Sequence, residues 1–524
     1  MAATPAEVPF VRHQVAMSKT TSWARSPAHR PGMAAEKRDA EAHFKPPGME
    51  SGAASQEGAG PVSALPGLPP GWVDPRAASV ACQCACVPAR CVTSFMGAST
   101  VSQRGWMMYD WADSIFVVAS TLFVAPFITD LAKANGESDP RAFYSFVQSA
   151  STIASILAYV LLSGLGEFGG TKNTLARIAA LTGGVCTTLF FCVVVPEMVW
   201  VAAVLFIVAR VASRITGLMM DALLSEVSHH DDWVAHNVSA KAVTLGYTGM
   251  IAFVILVAPI VVLPTFLGMD SGSDTRQWLE QRIPLGLCGV WWTAFAMVAF
   301  AWLDKYPGKP FPPEAGHGSK AQQVCWTTRM GMLEQWSAIK TMLSFPDVGR
   351  FLLAWMFLSD ASSTATSMAV LVASAIGLSV VQQGVAAIIG LVAAALGMTG
   401  FRFLVKVGVL TPFWALQVNI CVLAIMLVFV PFLRSAWEVY LLTAVGGVNL
   451  TQKGTSWIGP LAIGAVTAAL KDNSSSTFVL ITVIVIFAEI AIGAPIFCCV
   501  NVKRGQELAA SHSSDDASTD TENP

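Results

Sequence analysis

The sequence predicts an all-α membrane protein built as two six-helix bundles. Three observations lead there. Of 524 residues, 54% are hydrophobic and only 13% charged, against roughly 25% charged in soluble proteins. The apolar residues come in runs of about 20, the length that crosses a hydrocarbon core as a helix. Six such runs precede a polar connector at 304–350, and up to six follow it. The balance excludes an ordinary cytosolic enzyme, and a net charge of -2 leaves no basic field for nucleic acid.

The elements follow in chain order. Residues 1–104 are rich in Ala, Pro, Gly and Ser, mix Lys/Arg with Asp/Glu, and contain no apolar run of membrane length, which predicts a disordered tail. No secretory core opens the chain, so the first span is expected to insert as an uncleaved anchor, with an organellar transit role for the Arg-bearing tail left open. Spans are predicted at 106–131, 143–165, 175–195, 198–220, 243–267 and 283–303, forming an N-terminal bundle over 105–303. After the connector come 351–375, 380–400, 412–433 and 476–500, in a C-terminal bundle over 351–503. Residues 504–524 form an acidic, disordered tail. Residues 437–470 are apolar but number 34, whereas two spans want about 40: either two short helices fit, or one crosses. Lys and Arg placement favours a cytoplasmic N-terminus, and Lys503 and Arg504 after the last span want the same side. That requires an even count, so about twelve helices are expected, with the tenth and eleventh shortened.

A repeat supports two halves. Trp106-Met-Met-Tyr-Asp-Trp-Ala112-Asp-Ser114 in the first span and Trp355-Met-Phe-Leu-Ser-Asp-Ala361-Ser-Ser363 in the seventh share four of nine positions. They fall on corresponding helices, where a parallel repeat would place them.

Ionisable side chains within spans cost roughly 2.5–3.5 kcal/mol each on insertion scales. Few spans here contain any. In the first, Asp110, Asp113, Ser114 and Thr121 share one face; in the fourth, Arg210, Arg214, Gly217 and Asp221 do. By helical rise Asp113 and Arg214 both lie roughly 10 Å deep and can meet. They are read either as a structural charge pair or as groups facing an aqueous cavity. In the second reading Arg offers a bidentate fork to a substrate carboxylate and Asp takes up a coupling proton. In the seventh span Asp360, Ser363, Thr364 and Ser367 form a second polar face, with Asp360 neutral, or ionised in a wet cavity. Glu489 is a lone acid in the twelfth span, read as a protonated or snorkelling side chain or as part of a charge network.

Other features suggest no chemistry. Seven of the eleven Cys lie in or beside spans and read as small hydrophobes. Cys82, Cys84, Cys86 and Cys91 have no His nearby; a metal cluster, a palmitoylation patch and an unstructured tail remain open. His229-His230-Asp231-Asp232 reads as a solvated loop, the sequons at Asn237, Asn449 and Asn473 are not expected to be glycosylated, and no Walker loop appears. Neither a metal nor a cofactor is expected.

Tyr109-Asp110-Trp111-Ala112-Asp113-Ser114, Ala222-Leu223-Leu224 with Glu226, Ser239-Ala240 with Gly246-Tyr247-Thr-Gly249, and Lys453-Gly454-Thr-Ser-Trp-Ile-Gly459-Pro460-Leu461 resemble the vacuole-effluxer family of the major facilitator superfamily, over about 105–500. The resemblance implies a twelve-helix, major-facilitator-like transporter working by alternating access, whose fungal members are associated with autophagy and export amino acids such as leucine from the vacuole. The chain departs from the family in having Asp113 and Asp221 where Asn is usual. In the superfamily's loop motif, Ser163 replaces a Gly, Glu167 an Asp and Phe168 a basic residue. A stretch before Lys453 that carries Arg-Ser and Pro in the family is absent, which matches the short 437–470 region and would follow from a missed exon or a truncation.

The functional expectation is a secondary transporter of small zwitterionic solutes, neutral amino acids above all, leaving a vacuole-like compartment with a proton as coupling ion. Its partners are that solute, the proton and the bilayer. Arg210 would take the carboxylate, Asp113 or Asp360 the ammonium or the proton, with Ser114 and Thr364 beside them and Asp110, Arg214 and Glu489 in the charge network. The alternative is a non-transporting receptor or scaffold derived from a transporter. No His/Asp or Ser/His constellation within the spans supports an enzyme.

Overall fold

The computed structural model describes residues 99–168, 170–270, 273–308, 310–311, 319–409, 412–449, 458–470, 474–501 and 504. The four clustered cysteines of the N-terminal tail, Lys453 to Trp457, Asn473, Lys503 and the acidic tail beyond 504 lie outside them. The described residues fold into thirteen principal helices. They are α1 (Val101–Ala134), α2 (Pro140–Glu167), α3 (Lys172–Cys192), α4 (Val199–Val227), α5 (Asp232–Phe266) and α6 (Thr275–Trp302), then α7 (Lys320–Ser344) and α8 (Pro346–Ile376). After these come α9 (Val380–Lys406), α10 (Pro412–Phe429), α11 (Ala436–Asn449), α12 (Ile458–Leu470) and α13 (Ser475–Cys498). Among the described residues, nine helices are long and apolar enough to cross a membrane.

Local chemistry explains where they start. Thr100 accepts from the Gln103 amide at 3.2 Å while the Gln103 side chain accepts from the Thr100 amide at 3.1 Å, a reciprocal cap that opens α1. Asp139 accepts from the Ala142 amide at 3.0 Å, with Pro140 at the first helical position of α2, where its missing N–H costs nothing. α8 likewise opens on Pro346 and ends at Gly377, whose φ of 96° suits glycine.

Packing repeats between halves, and this repetition defines the architecture. In the first half α1 packs on α5 and α6, α2 on α4, and α3 on α4 and α6; in the second, α8 packs on α12 and α13, α9 on α11, and α10 on α11 and α13. The two halves meet through α2 against α12 and α5 against α9, a pair of contacts that the same repeat interchanges. The fold is therefore two six-helix bundles of major-facilitator type, as the Trp106 and Trp355 segments suggest. With little hydrophobic drive inside a membrane, close approach carries such packing. Gly184 and Gly289 lie backbone to backbone between α3 and α6, and Phe116 stacks on the fully buried Trp292 with ring centres 5.1 Å apart.

One detail differs from the sequence reading, and two others become more definite. The connector contains α7, which packs on α2; its sequence lacks the mean hydropathy of a span, so length and polarity hid it. The 437–470 region forms two helices of 14 and 13 residues, about 21 and 20 Å long by rise, against a hydrocarbon core of about 30 Å. Both helices exist, and the described part of each is too short to span alone. The loop at His229 and His230 is a tight exposed turn, with φ of 54° and 60°; among the described residues no group of three or more His, Cys, Asp or Glu is placed to hold a metal.

Candidate functional site

The predicted polar residues sort into two clusters, one in each bundle. In the N-terminal cluster α1 and α4 are fastened near the connector side: the Trp106 indole donates to the Met220 carbonyl at 2.6 Å and the Gln103 amide to the Val227 carbonyl at 3.3 Å. Further along, Ser213 donates to the Asp113 carboxylate at 3.0 Å. The ionisable groups close enough to act on Arg210 are Arg214, Tyr144, Asp113 and Tyr159, so helices α1, α2 and α4 converge there. Tyr159 in turn faces Arg214, Asp221, Asp113 and Arg210. Asp113, Arg210 and Arg214 thus lie in one neighbourhood, and all three are half-buried.

Sequence reasoning missed Tyr144, Tyr159 and Ser213. A signal existed: the chain has six Tyr, and two of them fall within the otherwise apolar α2. Tyr144 is 1% exposed. A phenol held there can donate to an anion that Arg210 attracts.

Asp110 and Ser114 do not join Arg210; they meet α5. A Cβ on Gly246 would stand 2.5 Å from Ser114 Oγ and 2.6 Å from Asp110 Oδ2, and one on Gly249 3.1 Å from the Trp111 carbonyl. These two glycines, one turn apart, let α5 lie directly on the polar face of α1.

The C-terminal cluster corrects the picture of Asp360 in a wet cavity. Asp360 is 1% exposed, Thr364 is fully buried and Ser367 is buried. The Asp360 carboxylate accepts the Gly459 amide at 2.8 Å and the Ile458 amide at 3.3 Å, so it caps the first turn of α12, and Thr364 Oγ1 approaches the same carboxylate at 3.4 Å. The next residue, Pro460, has no N–H to satisfy. Glu489 is not a lone acid: it is 4% exposed, Asp360 is its acidic neighbour, and its Oε1 lies 2.7 Å from where a Cβ on Gly459 would stand.

Apart from both clusters, a cavity of about 340 Å³ opens among the C-terminal helices and α1, within the usual range of small-molecule sites. Its walls come from α1, α5, α8, α9, α10, α11 and α13 and are mainly Val, Leu, Ile, Ala and Met, with Thr121, Gln383 and Asn419 among their polar points. None of the predicted site residues, Arg210, Asp113, Asp360, Ser114, Thr364, Asp110, Arg214 or Glu489, is among these wall residues. Helix amphipathicity pointed to charges and could not show a hollow made by helix spacing.

Residues 137–451, more than half the chain, match the family described as "Vacuole effluxer Atg22 like". Autophagy-related protein 22-2 of Emericella nidulans is 27% identical over 318 residues, covering 52% of this chain and 52% of that protein. Autophagy-related protein 22-1 of Sclerotinia sclerotiorum is 24% identical over 469 residues, covering 70% and 75%. The chain thus spans about half the length of the first of these relatives. Among solved structures, a bacterial homologue of the human lysosomal transporter Spinster, inward-facing and occupied, is 11% identical with a TM-score of 0.48, covering 77% of this chain and 97% of that one. The nucleoside transporter NupG is 12% identical with a TM-score of 0.46, covering 79% and 99%. Likenesses at that level add nothing to the architecture read from the helix contacts. The matched sequence, with the repeated bundles that contain it, is decisive: the chain belongs to the vacuole effluxer Atg22-like family.

Proposed function

We propose that the protein is a secondary transporter that moves small zwitterionic solutes, neutral amino acids above all, out of a vacuole-like compartment by alternating access, with a proton as coupling ion. The observation that carries this reading is Arg210, held within the span of α4 among Tyr144, Tyr159, Asp113 and Arg214. A guanidinium at that position offers a planar fork to a carboxylate, the phenols offer further donors, and Asp113 supplies the opposite charge an ammonium requires. The two-bundle repeat supplies the halves that rock about such a site.

The test is equilibrium binding of a labelled neutral amino acid to the purified protein, compared with Arg210→Lys. Lys keeps the charge and loses the fork, so affinity is expected to fall at least tenfold, equivalent to about 1.4 kcal/mol, while expression is unchanged. Equal binding by the two proteins would move the carboxylate site elsewhere. A receptor or scaffold, the second reading, is favoured by the shortness of α11 and α12. It would bind solute without moving it.

A further inference from the structure

We infer that the apolar cavity of the C-terminal bundle is a lipid site, which takes one hydrocarbon chain ended by an uncharged hydroxyl and holds that hydroxyl on Asn419. The site is separate from Arg210 and stands whether or not a zwitterion binds there.

The cavity follows from a break in the repeat. In the first half α3 carries Gly183 and Gly184, and at Gly184 it meets the backbone of α6. Its counterpart α10 has no glycine between Pro412 and Phe429, so it meets its neighbours through side chains. Leu427 clusters with Val483, Ile486 and Ile490 of α13. Toward α11 the contact is a thioether, since a Cβ on Gly446 would stand 2.6 Å from Met426 Cε. Met426 and Gly446 both belong to the cavity wall, and an unbranched Met side chain changes rotamer readily enough to let a chain pass.

Helix α10 is a wall one helix thick. Its inner face, Asn419, Ile420, Leu423, Met426 and Leu427, lines the cavity, and its outer face, Trp414, Val418, Ile425, Val428 and Phe429, is exposed. Each face follows helical spacing, and apart from Asn419 both are apolar, as suits a helix with hydrocarbon on either side. From Asn419 to Val430 the cavity follows α10 for about 17 Å by helical rise, more than half of a hydrocarbon core about 30 Å thick. A hollow that is long, apolar and parallel to the spans has the shape of a chain rather than of a compact solute.

The polar points select the head of that chain. No acidic or basic residue is among the wall residues, which disfavours a charged head. The hydroxyls of Thr121, Thr366, Thr443 and Thr482 each donate to a carbonyl of their own helix, at 2.6 to 3.1 Å. The Gln383 amide nitrogen is taken up at the corner between α8 and α9, donating to Ser374 Oγ at 3.0 Å and to the Leu378 carbonyl at 2.9 Å. Asn419 differs, for its Oδ1 is buried and has no hydrogen-bond partner among the described residues. A hydroxyl at the end of a chain donates to that oxygen and can accept from the amide nitrogen beside it.

The experiment is photolabelling of the full-length protein in liposomes with a long-chain alcohol that carries a diazirine within its chain, read by mass spectrometry at residue resolution. Wild type is expected to be labelled saturably at the inner residues Leu423 and Leu427, and excess unlabelled alcohol, but not a neutral amino acid, should displace the label. Ala387→Phe, which fills the cavity from α9, should abolish inner labelling. Asn419→Leu keeps the bulk and removes the amide, so half-saturation should rise about two- to tenfold, the worth of one hydrogen bond, while Tm is kept or raised because a buried unpaired polar atom is gone. Label that does not saturate, or that is confined to the outer residues Ile425 and Val428, would mean bilayer contact only and overturn the inference. Displacement by a neutral amino acid would make the cavity part of the solute site and overturn it as well, and equal half-saturation in wild type and Asn419→Leu would overturn the placement of the hydroxyl. The readout involves no transport, so it fails separately from the transport reading.

Discussion

Helix α7 is pinned to α2 by two glycines in contact, and enlarging either one should detach it. A Cβ on Gly164 would meet the Thr327 carbonyl oxygen and stand 2.7 Å from Gly331 Cα and 2.9 Å from Gly331 N. Carbon atoms rest at about 3.5–4.0 Å, so Gly164→Val requires the two backbones to part by about 1 Å. Both contacts are with backbone, which cannot rotate away. Overpacking of this kind costs about 1–3 kcal/mol. Gly331→Val meets the same backbone from the other side, with Gly164 Cα 2.5 Å from its Cβ position, so once the helices have parted the second substitution should add little. The assay is thermal unfolding of the purified protein with limited trypsin digestion, which reads local unfolding of α7 at the exposed Arg329 and Lys340. Each single variant is expected to lower Tm and speed cleavage in α7, and the double variant to resemble either single one. Unchanged Tm and cleavage in Gly164→Val, or fully additive losses in the double variant, would refute the helix contact.

Two further outcomes follow. Both tails are expected on the cytosolic face, because α11 and α12 contribute an even number of crossings whether they span or turn back; labelling that puts residue 515 on the opposite side from residue 50 would contradict this. Asp113→Asn should lower stability by leaving the guanidinium of Arg214 less compensated, and adding Arg214→Gln should recover part of it, with a coupling of about 0.5–3 kcal/mol in a double-mutant cycle; purely additive losses would separate the two residues.

What the sequence made legible is what periodicity and membrane length control. The long apolar runs, the polar stripes of α1 and α4 and the Trp106/Trp355 repeat each depend on residues close in sequence, and each appears in the fold. Asp360 shows where that logic ends. Its stripe was visible, but a carboxylate that caps the start of a helix some hundred residues later depends on tertiary placement, and so does its nearness to Glu489. Gly246 and Gly459 were legible as motif residues, and only the packing shows that each makes room for a neighbouring polar side chain. Phe168 behaves similarly. As a substitute for a basic residue it looked like a loss, yet its ring lies 6.0 Å from Phe311 and 5.3 Å from Trp326, so it anchors the loop to the connector by aromatic contact.

Transport itself is the central claim, and accumulation measures it most directly. The purified full-length protein, reconstituted into proteoliposomes with an imposed pH gradient, should accumulate a labelled neutral amino acid above its equilibrium level, and dissipating the gradient should release it. Solute that binds the reconstituted protein but never accumulates, with or without the gradient, would contradict the account and make the molecule a receptor on a transporter fold.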